Sequence, residues 1–132
     1  MHDTAPTSEY LVISRGKWDD NLPPETIQAA IDRFYEWHGA HVAAGTMKTG
    51  SRLMAETKLV SKRGILDGPF SETKEVVGGY WFITAASLEE AAAMAAENPV
   101  LQCGLSLEIR ELDPERCKAT DVTAETPKSR GG

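Results

Sequence analysis

Three side chains in this sequence carry the means for acid–base work: His38 and His41, three residues apart, and Asp67. An imidazole titrates near neutrality and can give or take a proton. A carboxylate nearby can orient that imidazole or hold a proton near a substrate. Each has a plainer role as well. A histidine on the apolar side of a helix can simply hydrogen-bond to backbone, and Asp67 opens Asp-Gly-Pro-Phe, where an aspartate can bond its own backbone two residues on. The spacing of His38 and His41 would let them share a metal. With no carboxylate or thiolate companion to complete the set, no metal site is read here. Four further residues are ligand-binding candidates. Phe70 can wall or plug an apolar pocket, while Lys74, beside Glu75, and Arg52 can steer an anion. Gly79, beside Gly78, allows a neighbouring chain or a ligand to approach the backbone closely, chain packing being the first expectation. Tyr10, Tyr35 and Tyr80 can donate protons, although buried structural tyrosines are the default. No phosphate-binding glycine loop, nucleophile elbow or HExxH is present, and no cofactor is expected.

These groups need a frame. Residues 9–14, EYLVIS, read as a first strand. Pro23 and Pro24 suit the first turn of a helix. The helix over 25–44 sets Ile27, Ala30, Ile31, Phe34, His38, His41 and Val42 on one stripe, and Gly45 offers a cap. Gly39 within it costs about 1 kcal/mol against alanine, which suggests close packing there. Residues 52–55 and 58–61 read as strand pieces, Lys62-Arg63-Gly64 as a hairpin tip and Asp67-Gly68-Pro69-Phe70 as a sharp turn. The strongest strand is 76–84, VVGGYWFIT, with large apolar groups on both faces. Ser87 and Glu90 form a capping box that opens an alanine-rich helix to about 97, which Asn98-Pro99 ends. The last strand, 105–112, alternates Leu105, Leu107 and Ile109 with Ser106, Glu108 and Arg110.

The order strand, helix, strands, helix, strand predicts an α+β fold, a ferredoxin-like split βαβ sandwich with two helices on one face of an antiparallel sheet. The other face would be bare and apolar, which asks for a partner, most simply a second copy. One domain over 9–112 is expected, with flexible termini at 1–8 and 113–132.

The chain has 132 residues, 26% of them charged, and a formal net charge of -6. An acidic surface repels phosphate backbones, so no nucleic-acid partner is expected. No apolar run is long enough for a membrane span and the N-terminus lacks the pattern of a secretory leader, so the reading is cytoplasmic. Cys103 and Cys117 read as reduced thiols.

Residues 67–79, DGPFSETKEVVGG, with the aromatic strand and the Ser-Leu-Glu-Glu-Ala helix that follow, resemble the DGPF branch of the YCII-related family. The likeness runs in order over about 10–112, and Glu72, Thr73, Lys74, Glu75 and the Gly78-Gly79 pair give it specificity. The resemblance implies a ferredoxin-like fold of the dimeric α/β-barrel type. It also implies a small organic ligand, since some relatives act on chlorinated aromatic compounds through a proposed His–Asp pair in a cleft. Alternatively it implies a regulatory module associated with extracytoplasmic-function sigma factors. Whether the chain is an enzyme is left open, and no histidine stands near the start of the first helix, where those relatives place theirs.

Overall fold

Two segments with alternating apolar side chains become the centre of a four-stranded antiparallel sheet. A computed structural model describes residues 6–68 and 76–114. The elements run β1 (Ser8–Arg15), α1 (Pro24–Ala44), β2 (Met47–Arg52), β3 (Lys58–Ser61), β4 (Gly64–Asp67), β5 (Val77–Ala85), α2 (Leu88–Ala95) and β6 (Ser106–Glu111). The sheet order is β2-β5-β1-β6, and β3 and β4 form a separate two-stranded ribbon. This is the ferredoxin-like arrangement with a hairpin inserted between its second and third strands.

Side chains alternate across a strand, so the register sorts them by face. Tyr10 lies opposite Ile83 and Val12 opposite Trp81. These four face the helices and form the core with Met47, Ala85, Ala91 and Ala95. The alanines let α2 lie close to the sheet, as their number predicts. Leu11 lies opposite Phe82 and Ile13 opposite Tyr80. These point to the other face, are only half-buried, and are covered by no helix of the described residues. Charge rims this face. Glu9 pairs with Lys48, and Arg15 Nε lies 2.5 Å from Glu108 Oε1 with Arg110 3.4 Å from Oε2. The Arg15 hydrogen bond, with both guanidinium charges, holds the Glu108 carboxyl below its usual range.

Several local expectations are corrected. The strand piece at 52–55 belongs earlier: β2 ends at Arg52, and Leu53 begins the connection to the hairpin. Gly39 faces solvent, and a Cβ there would meet nothing within 4 Å, so no close packing explains it. β1 already begins at Ser8, within the stretch expected to be loose. The capping box is shifted by one partner. Glu90 N–H donates to Ser87 Oγ at 3.0 Å, but Glu90 Oε1 accepts from the Ala86 N–H rather than that of Ser87. After Pro99 the chain makes a short 3-10 helix, Pro99–Cys103, because the Asn98 side chain accepts the Val100 N–H and starts a new turn. Val100 and Cys103 form a second small core with Ala30.

Candidate functional site

The two histidines are positioned by α1, a helix whose start is fixed by Pro23 and Pro24 and whose end is fixed by Gly45 at φ 84°. A left-handed cap there lets the Gly45 N–H return to the His41 and Val42 carbonyls. The site therefore sits in the last two turns of a well-terminated helix.

His38 is 7% exposed. Its ring stacks on Phe34 at 5.3 Å between centroids and 7° between planes, and Trp81 tilts against it at 5.1 Å. Trp37 closes the group, 5.7 Å from Trp81 and 5.2 Å from the His41 ring. Five rings from one helix and one central strand thus form a single wall. Among the described residues, two polar atoms buried inside it meet no hydrogen-bond partner, His38 Nε2 and Trp37 Nε1. Burial pushes the His38 imidazole below its ordinary value. A backbone hydrogen bond at Lys48 opposes this, and the like charge of His41 adds to it. Burial thus disfavours the protonated form of His38.

This direction gives a pH prediction. The unfolded chain binds a proton at about pH 6.5 while the folded His38 resists it. Stability contributed by the neutral ring is full above that value and is lost as pH falls from it toward the depressed folded value. His38→Phe keeps a flat ring and removes the titration. In urea unfolding at about pH 5 and about pH 7.5, the wild type should lose more stability on acidification than the variant. Parallel losses in both proteins would contradict this.

His41 is half-buried and tied to the helix end. Its Nδ1 lies 2.8 Å from Thr46 Oγ1, and the Thr46 hydroxyl donates to the His41 carbonyl at 3.2 Å. Asp67 lies elsewhere. It ends β4 on the separate hairpin, its side chain 77% exposed, and its Oδ1 accepts from Lys58 Nζ at 2.5 Å. Its hydrogen-bond partner among the described residues is thus Lys58 and not an imidazole. Arg52 is exposed at the end of β2, directly across from Gly79. Gly79 is buried because its own sheet crowds it: a Cβ there would stand 2.9 Å from the Ser51 carbonyl oxygen. β2 of the same chain makes a close approach at Gly79. Phe70 and Lys74 lie outside the described residues, as does Cys117.

Sequence reasoning missed Trp37. It stands three residues after Phe34 and four before His41, helical spacing that marks the same side of α1. It also did not anticipate a hollow between α2 and β6. This open surface groove is lined by Ala92, Ala95, Ala96, Leu101, Leu107 and Ile109, and its lining is apolar. Among the described residues, no helix is long and apolar enough to cross a membrane.

Among solved structures, the chain is similar to a 5-chloro-2-hydroxyhydroquinone dehydrochlorinase from Burkholderia phenoliruptrix in complex with 2,5-dihydroxybenzoquinone. Identity is 18%, coverage 83% of this chain and 93% of the other, and TM-score 0.41. It is also similar to a dimeric protein of unknown function and ferredoxin-like fold from Bacteroides fragilis, with 12% identity, coverage of 80% and 96%, and TM-score 0.40. No curated protein matches the sequence. The YCII-related domain pattern matches residues 9–113, nearly all of the described fold, and the chain belongs to the YCII-related family.

Proposed function

We propose that this chain is a small-molecule-binding domain whose ligand is a small aromatic compound received between α1 and the sheet. His38 is its acid–base group. The observation that carries this reading is the pair of buried, unpartnered ring nitrogens, His38 Nε2 and Trp37 Nε1, inside a wall of aromatic faces. Each buried polar group left unpaired costs about 1–3 kcal/mol. A ligand with a flat ring and a hydroxyl or carbonyl oxygen would stack on the wall and satisfy one or both. A neutral imidazole with a depressed affinity for protons is suited to accept a hydroxyl hydrogen from such a ligand. Family membership supports the ligand class, since some relatives act on chlorinated aromatics.

The test is a titration with hydroxylated and chlorinated benzenes, read by quenching of tryptophan fluorescence and by turnover. Saturable binding is expected for the wild type and for Asp67→Asn, with loss in His38→Phe. Asp67 contributes only an exposed ion pair of the kind worth at most about 1 kcal/mol. Binding retained in His38→Phe and abolished in Asp67→Asn would move the site to the hairpin and overturn the assignment.

The working unit in this reading is a homodimer. Leu11, Ile13, Tyr80 and Phe82 share the face that no helix of the described residues covers, and the Tyr80 and Phe82 rings meet edge to face at 5.9 Å. An apolar sheet face of this kind is best covered by its own copy, giving a self-complementary interface.

A further inference from the structure

Among the described residues, the β3–β4 hairpin carries a conspicuous exposed apolar surface. Leu59 lies opposite Leu66 and Val60 opposite Ile65. Neighbouring positions on a strand point to opposite sides, so one aliphatic pair stands on each side of the ribbon. All four residues are between 50% and 70% exposed, and Leu53 and Met54, in the connection from β2, are exposed as well. The ribbon has no ladder to the four-stranded sheet. An isolated two-stranded ribbon is marginal in water. A body packed on one side would still leave the other side bare.

Charge and connectivity say what covers it. Lys58, Lys62 and Arg63 on the ribbon stand against the single carboxylate of Asp67, on a chain whose formal net charge is -6. The ribbon is a basic element of an acidic protein, so the average surface of another copy attracts it. The ribbon is also inserted between β2 and β5, and β5 presents Tyr80 and Phe82 on the open face. It therefore joins the body through β5, the strand that carries Tyr80 and Phe82.

We infer that the β3–β4 hairpin is a dimerisation arm that lies on a second copy of this chain, its more exposed Val60–Ile65 side against the partner and its Lys62-Arg63 tip on the partner's acidic surface. This inference rests on the homodimer reading. Two-fold symmetry makes the exchange of arms reciprocal. A shared arm removes the weakness of the lone ribbon, because each ribbon gains a surface that its own chain does not provide.

The test combines sedimentation with hydrogen exchange of the amides of 58–67 over a range of protein concentrations. The wild type should dimerise, and protection of the hairpin amides should rise with concentration in step with the dimer. Val60→Glu with Ile65→Glu should raise the dimer dissociation constant about tenfold or more. Lys62→Glu with Arg63→Glu should raise it too and reduce its dependence on salt. These side chains are exposed, so far-ultraviolet circular dichroism should show the monomer fold intact. Phe82→Glu tests the sheet face separately. A dimer broken by Phe82→Glu, but with unchanged hairpin exchange and full affinity in Val60→Glu/Ile65→Glu, overturns the arm and leaves the sheet-face dimer standing. Hairpin protection independent of concentration places the cover within the same chain and overturns the arm. A monomer at every concentration overturns both readings.

Discussion

Trp81→Ala is expected to remove about 3–5 kcal/mol of folding stability, a large part of what a domain of this size has. Trp81 is 5% exposed at the middle of β5, opposite Val12 and against Phe34, Trp37 and His38 of α1. It is the residue through which the sheet meets the aromatic face of the helix. Truncation loses the transfer energy of an indole and leaves a cavity whose walls come from two different elements. Neither wall can move inward without breaking its own hydrogen bonds, so the cavity persists. The same change strips His38 of one ring neighbour and admits water to its unpartnered Nε2. The imidazole should then titrate closer to its ordinary value. Urea unfolding followed by circular dichroism gives the stability, and the histidine proton resonances give the titration. A loss below about 1 kcal/mol would mean that the ring is not packed as described. Trp81→Phe refills part of the space and should recover most of the loss.

How far these features could be read from the sequence differs by element, for physical reasons. β1, α1, α2 and β5 were legible because each buries one face, and burial writes a period of two or 3.6 into the residue types. Tyr80, Trp81, Phe82 and Ile83 announced two apolar faces, and the register puts them there. β2 was misplaced because, among the residues of MKTGSR, only Met47 is buried, so an edge strand left almost no pattern. The 3-10 turn after Pro99 was hidden because the proline reads as a stop while the Asn98 side chain makes it a start. For the site, sequence marked His38 and His41 as facing inward, since both lie on the apolar stripe. It could not decide what Asp67 meets. The distance between a helix and the open end of a hairpin is not encoded in the local spacing of either. Asp67 was singled out by its tetrapeptide, but its ion pair with Lys58 depends on hairpin register, nine residues back along the chain.

Gly50→Ala should be nearly as damaging, at about 3 kcal/mol, although it adds a single methyl group. Gly50 lies in β2 where the pairing with β5 shifts between Lys48 and Ser51. A Cβ at this position would overlap the Tyr80 carbonyl oxygen and crowd the Tyr80 ring. The obstructing atom belongs to the backbone of a central strand, so it cannot rotate away as a flexible side-chain end would. Relief requires β2 to separate from β5 over the stretch that carries Ser51 and Arg52 opposite Tyr80 and Gly79. The damage should therefore appear as fast amide exchange along β2 and at the start of β5, with β1 and β6 less affected. Gly39→Ala is the internal reference. That site faces solvent inside α1 with nothing within 4 Å of an added Cβ, so alanine's helix preference should stabilise by up to about 1 kcal/mol. The same substitution thus takes opposite signs at two glycines eleven residues apart. If Gly50→Ala proved neutral in urea unfolding, the irregular pairing of β2 with β5 would not need glycine, and the Tyr80 carbonyl could not stand where it is described.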